Sequence, residues 1–162
     1  DTFIVDANER TTLDGGEGED TADFSQSSTG VRLNADGSFG VAGRTTQNGQ
    51  LEGFEKVIGS GKQDTLEVDG SGSFTVTVKQ AVNGIEHFVI TDAVGRTVLE
   101  ASDFENVRFT ESTNVKVVGE EGASGVNVFT ADDKAVHVTV EAQADSELNI
   151  TTGAKADTID LS

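Results

Sequence analysis

Apolar and polar residues alternate one for one along much of this chain, as in Phe74-Thr75-Val76-Thr77-Val78 and Val136-His137-Val138-Thr139-Val140. A period of two marks strands with one buried face, because successive side chains on an extended backbone point to opposite sides. Helical periodicity is absent. The one candidate, Gly95 to Asn106, has too few apolar residues at helical spacing. Asn83-Gly84 separates the runs Phe74 to Val82 and Ile85 to Thr91, and Asp36-Gly37 separates Val31 to Leu33 from Phe39 to Val41. Both dipeptides tolerate the positive φ of a two-residue turn, so both predict β-hairpins. The expectation is an all-β stack of short strands with longer hairpins inserted.

Between these runs a short phrase recurs: Asp1-Thr2-Phe3, Asp20-Thr21-Ala22, Asp64-Thr65-Leu66 and Asp157-Thr158-Ile159, each leading into a β-prone stretch. Its turns fall within Leu13 to Phe24, Val57 to Val68 and Ile150 to Leu161, with a degenerate copy at Val107 to Val118 whose marker is Asn114. A second correspondence joins Phe54-Glu55-Lys56-Val57 to Phe104-Glu105-Asn106-Val107, preceded by Gly43-Arg44-Thr45 and Gly95-Arg96-Thr97. The chain therefore reads as one repetitive domain or segment over residues 1–162, with related modules at irregular spacing.

The most specific turn is Leu13-Asp14-Gly15-Gly16-Glu17-Gly18-Glu19-Asp20-Thr21-Ala22-Asp23-Phe24, one copy of the nonapeptide GGxGxDxUx, with U a large apolar residue and Ala22 a small occupant of it. Glycines at its first, second and fourth positions permit a tight turn, and the following Asp supplies a hard oxygen. On these residues the chain resembles the RTX family of secreted bacterial calcium-binding repeat proteins. The stretches Asp14 to Ser25 and Gly53 to Leu66 both follow the family's order; Val76 to Val140 does not.

The resemblance implies a parallel β-roll or β-helix-like solenoid with inserted hairpins, holding Ca2+ at its turns. It assigns Asp20 a carboxylate ligand, Gly15, Glu17 and Glu19 backbone carbonyl ligands, and Asp23 an extra oxygen. Asp64 and Asp157 are the matching metal candidates of the other two turns. There Lys62 and Lys155 stand where the family has glycine, so the expectation is that each lysine neutralises its aspartate in place of calcium.

Charge supports cations as partners. Eleven Lys and Arg face 29 Asp and Glu, a net charge of −18, which disfavours nucleic acid and anionic membranes. With no cysteine there is no disulfide framework or thiolate metal site. Glycine, at 19 of 162 residues, replaces side-chain bulk, as a tightly wound β architecture requires. No apolar run approaches membrane-spanning length, and Asp1 to Glu9 lack the pattern of a secretory signal.

Catalytic constellations are not evident. His87 and His137 sit at every-other-residue phase in strand-like runs and read as strand-surface residues. Asp132-Asp133 and Glu120-Glu121 read as solvated turn charges. The leading expectation is a non-enzymatic, calcium-stabilised structural or adhesive segment of a secreted, surface-located protein, exported by type I secretion as the resemblance implies. Its partners would be calcium, cell-surface or matrix glycans, or neighbouring domains of the same chain. The alternatives are a polysaccharide-active enzyme on a parallel β-helix, using Asp103, Asp132 and Asp145, and a glycan-binding module. Thr75, Thr77, Thr139, Thr151 and Thr152 are too scattered for an ice-binding ladder.

Overall fold

A computed structural model describes all 162 residues. The chain is all-β, without a helix, and forms two mixed, mostly parallel sheets, here sheet I and sheet II. It starts in sheet I with β1 (Thr2–Ile4), crosses to sheet II for β2 (Thr12–Asp14) and returns for β3 (Thr21–Asp23). Three consecutive strands in sheet II follow: β4 (Val31–Asn34), β5 (Ser38–Val41) and β6 (Gly49–Glu52). Then come β7 (Lys56–Ile58) in sheet I and β8 (Thr65–Val68) in sheet II. A second meander, β9 (Ser73–Val78), β10 (His87–Thr91) and β11 (Thr97–Ser102), lies in sheet I. From there the chain alternates between sheets: β12 (Asn106–Phe109), β13 (Asn114–Gly119), β14 (Asn127–Phe129), β15 (His137–Ala142), β16 (Asn149–Thr151) and β17 (Thr158–Leu161).

All pairings are parallel except where β10 joins β9 and β11, and where β5 joins β4 and β6. Those are the two predicted hairpin regions. Asn83 and Gly84 have φ of 55° and 77°, the doubly left-handed turn that Asn-Gly favours, and Gly37 has φ of 89°. Each meander fills one sheet with three strands while the other receives none. Outside the meanders the strand order advances along each sheet, and within each meander it runs backward, β11-β10-β9 between β7 and β13 and β6-β5-β4 between β2 and β8.

Strict alternation fixes the core. In-register inward rows such as Leu33, Leu66, Val107 and Val128 in sheet II, and Val76, Val117 and Val140 in sheet I, stack across successive strands. Between the sheets Phe24, Phe39, Phe88, Phe104 and Phe109 are fully buried, and the Phe24 and Phe39 rings meet edge to face at 5.3 Å. These residues belong to one continuous apolar cluster running from Val5 to Val140. Burying a large apolar side chain contributes about 1.5–3 kcal/mol, so this interior is the main source of stability. It leaves two rims, where the chain passes between sheets, free to carry polar chemistry.

Candidate cation-binding corners

Asp20, Asp64 and Asp157, three of the four aspartates of the Asp-Thr-apolar phrase, each stand immediately before a strand with the carboxylate turned toward the neighbouring strand. Asp20 Oδ1 accepts from the Asp1 nitrogen at 2.7 Å, Asp64 Oδ1 from the Val31 amide at 2.6 Å, and Asp157 Oδ1 from the Val136 amide at 2.8 Å. In every case the donor is the in-register residue: Thr21 pairs with Thr2, Thr65 with Arg32, and Thr158 with His137. The cause is local. A parallel ladder ends where a strand begins, and the flanking amide would lack an acceptor; a short carboxylate supplies a charge-assisted one.

The same device continues one strand further. Glu55 Oε2 accepts the Asp20 amide at 2.9 Å, and Glu105 Oε2 accepts the Asp64 amide at 2.7 Å. The matched sequences Phe54-Glu55-Lys56-Val57 and Phe104-Glu105-Asn106-Val107 therefore cap the two Asp-Thr steps. They do so in different sheets, β7 in sheet I and β12 in sheet II. Asp20, Glu55 and Asp157 consequently share one rim, while Asp64 and Glu105 occupy the other. What reads as one series of turns is two.

At the Asp20 corner Gly16 and Gly18 have φ of 89° and 124°, the left-handed backbone their positions in the nonapeptide predict. Gly15 is required for a different reason: a Cβ there would overlap the Gly53 carbonyl oxygen and lie 2.7 Å from Asp20 Cβ. The Gly53 turn is thus what stacks on this loop. Asp20 is 1% exposed, and its Oδ2 is buried with no donor in reach. The Gly16 amide donates instead to Asp14 Oδ1 at 3.0 Å. The Glu17 and Glu19 side chains are exposed, the latter paired with Lys56 Nζ at 3.0 Å. Asp23 lies at the other end of β3, where its Oδ1 accepts the Ser25 amide at 2.8 Å.

The Asp64 corner has the same frame and a different outcome. Gly59 is the counterpart of Gly15, since a Cβ there would overlap the Asp103 carbonyl oxygen and lie 2.7 Å from Asp64 Oδ2. Asp64 is fully buried and saturated: Oδ1 accepts from Val31 N and from Ser60 Oγ at 2.8 Å, and Oδ2 accepts from Ser60 N at 2.7 Å. Burial nevertheless pushes its carboxyl up to about 6, against the pull of these donors. The expected neutralisation by lysine does not occur. No ion pair joins Lys62 to Asp64 or Lys155 to Asp157, and both lysines are exposed. Serine, not lysine, closes the Asp64 turn. At Asp157 one oxygen, Oδ2, is buried without a donor, as at Asp20.

Asp103 takes the place of Gly53 and keeps its left-handed backbone, φ of 58° against 68°. Its carboxylate joins those of Glu86 and Glu105, with ligand oxygens all within 4.8 Å of one another. Burial, then the Glu86 charge, raises the Asp103 carboxyl; burial raises that of Glu105, the Asp64 amide opposes it, and Glu86 and Asp103 add to it. Hard oxygens crowded in this way suit Ca2+ or Mg2+. Glu86 was invisible as a site residue in the sequence because it reaches Asp103 only through the β9–β10–β11 meander. Glu105 carried a signal, its match to Glu55.

Asp132 and Asp145 are not members of this carboxylate cluster. His87 Nε2 lies 2.8 Å from Glu100, and His137 Nε2 lies 3.1 Å from Asp160, both on outward strand faces. No helix is long and apolar enough to cross a membrane. No protein-family model, curated protein or solved structure matches this chain.

Proposed function

We propose that this chain is a non-enzymatic structural and adhesive module of RTX type, a β-roll or β-helix-like solenoid with inserted hairpins, secreted and displayed at a bacterial surface and stabilised by calcium at its rims. The observation that carries the reading is Asp20 Oδ2: a buried carboxylate oxygen without a donor, above a loop whose two left-handed glycines match the calcium nonapeptide. An isolated buried carboxylate oxygen is costly, and a hard cation is one partner that removes the cost. Asp20 would hold the ion, with the carbonyls of Gly15, Glu17 and Glu19 as the resemblance implies. Bound calcium would neutralise charge between stacked turns in a chain of net −18.

The role that follows is mechanical and presentational. Alternation between two sheets builds a body that lengthens by adding strands at its ends, and calcium outside the cell would lock it after export. Thermal unfolding tests this reading directly. The melting midpoint should rise in millimolar calcium and fall in chelator, with Asp20→Ala losing the response. Superimposable curves with and without calcium would refute it.

A further inference from the structure

The outward face of sheet II carries a charge anomaly. Three of the five arginines of a chain with net charge −18, Arg32, Arg44 and Arg108, line one open cavity of about 350 Å³, whose only acid is Glu67. Arg32 has a structural duty there. Its Nε donates to the Arg44 carbonyl at 2.8 Å and its Nη2 to the Thr45 and Thr46 carbonyls at 3.3 Å, which fixes the loop forming the cavity wall. Arg44 and Arg108 have no acid partner within ion-pair distance.

Arg108 also borders a second hollow of about 180 Å³ with Thr110, Thr130, Asp132 and Asp133, so it stands on the ridge between the two. Its guanidinium carbon lies 5.1 Å from the centroid of Phe129, the in-register residue of β14. Phe129 projects outward, because its neighbours Val128 and Thr130 are buried. Thr130, at 2% exposed, keeps its hydroxyl buried without a partner at the edge of the second hollow. Across adjacent parallel strands the face thus reads Glu67, Arg108, Phe129, at about 4.8 Å per step.

We propose that this face binds a short oligosaccharide carrying a carboxylate, a uronate-type sugar, with Arg108 and Arg44 taking the carboxylate and Phe129 holding the Arg108 guanidinium in place from beneath. A guanidinium fork matches a planar carboxylate, an aromatic ring against the guanidinium fixes its orientation, and Thr45, Thr65, Glu67 and Asp132 provide hydrogen-bond partners for hydroxyls. Inorganic phosphate suits the guanidinium fork as well as a carboxylate does but lacks the ring hydroxyls that these partners would meet. The site gives the adhesive role a ligand class. It rests on that role and not on calcium, so a chain whose melting ignores calcium yet binds the sugar would keep this site, and the reverse result would keep the calcium reading.

Titration calorimetry with trigalacturonate, its methyl ester and inorganic phosphate provides the test. The acid should bind saturably, the ester and phosphate at least about tenfold more weakly. Arg108→Ala and Phe129→Ala should each weaken binding about tenfold, equal to about 1.4 kcal/mol, with melting midpoints unchanged because both side chains face outward. Arg108→Lys should recover only part of the affinity, since lysine keeps the charge and loses the planar fork. No saturable binding at millimolar trigalacturonate, equal binding of acid and ester, equal binding of phosphate, or full affinity in Arg108→Ala would each overturn the proposal.

Discussion

The Asp20 and Asp64 corners use one frame in two ways. Each has an Asp-Thr step whose aspartate accepts from an in-register backbone nitrogen, the Asp1 ammonium or the Val31 amide, a glycine five residues earlier pressed against a carbonyl of the next turn, and a glutamate on the adjoining strand that accepts the aspartate's own amide. The residue four positions before the aspartate separates their hydrogen bonding. Ser60 turns both its amide and its hydroxyl onto Asp64, while Gly16, at the matching position, turns its amide onto Asp14 and leaves Asp20 Oδ2 bare. The same local motif can therefore be a closed hydrogen-bonded joint or one that keeps a buried oxygen without a donor. The aspartate itself does not decide which.

The sharpest way to break this contrast is to remove each carboxylate. Asp64→Ala leaves the Val31 amide, the Ser60 amide and the Ser60 hydroxyl buried without an acceptor, at about 1–3 kcal/mol for each group left unsatisfied. Denaturant unfolding should show a loss of at least about 3 kcal/mol, equal in calcium and in chelator. Asp20→Ala in chelator should cost no more than about 1.5 kcal/mol, because the lost hydrogen bond is offset by removal of an unpartnered oxygen. Its full effect should appear only in calcium. Equal losses for both variants in chelator would erase the distinction.

The pH dependence gives a second, smaller separation. A carboxyl whose folded value is raised stabilises the fold while protonated, so its contribution is complete below about 4 and fades as pH climbs toward about 6 for Asp64. Asp103 and Glu105 act in the same direction, both raised by burial. Asp6 and Asp92, held low by the Asn8 and Arg96 amides, oppose them, yet both sit on solvated turns. In chelator the melting midpoint should therefore fall between pH 4.5 and 7, and Asp64→Asn should flatten that slope. A midpoint rising across this range would mean that the exposed acids govern.

Much of the fold was legible because its determinants are local. Asn83-Gly84 and Asp36-Gly37 specify their turns by backbone preference alone, and the alternation in β9 and β15 specifies which side chains enter the core. The left-handed glycines of the nonapeptide were legible for the same reason. Partner choice was not. An odd number of crossings between the sheets separates β3 from β8 and β8 from β17, so turns that look equivalent land on opposite rims, Asp64 opposite Asp20 and Asp157. Nor could the sequence show that Glu86 meets Asp103, since that approach depends on the bulged β10–β11 pairing.

Exchanging the discriminating residue should move the calcium response itself. Ser60→Gly removes the hydroxyl donor from Asp64 Oδ1 and frees the backbone to adopt the geometry of Gly16. A loss of about 1 kcal/mol is expected in chelator, with part of it restored by calcium. The reciprocal Gly16→Ser places a side chain on a backbone with φ of 89° and should weaken the calcium response of the Asp20 corner. If Ser60→Gly stays indifferent to calcium, the difference between the corners lies elsewhere, most directly in Asp103 replacing Gly53.

The smallest effect should come from Lys62→Gly, the change that restores the nonapeptide glycine by sequence. Lys62 is exposed and makes no ion pair with Asp64, and both oxygens of that carboxylate already have donors from Val31 and Ser60. Removing a solvated ammonium there changes neither a buried group nor a hydrogen bond to the carboxylate. Melting curves should coincide with those of the parent chain, and calorimetry should show the same calcium stoichiometry. A new calcium site in Lys62→Gly with Ser60 still in place would mean that the serine cap yields to the cation, and that the closed joint is closed only while lysine guards it.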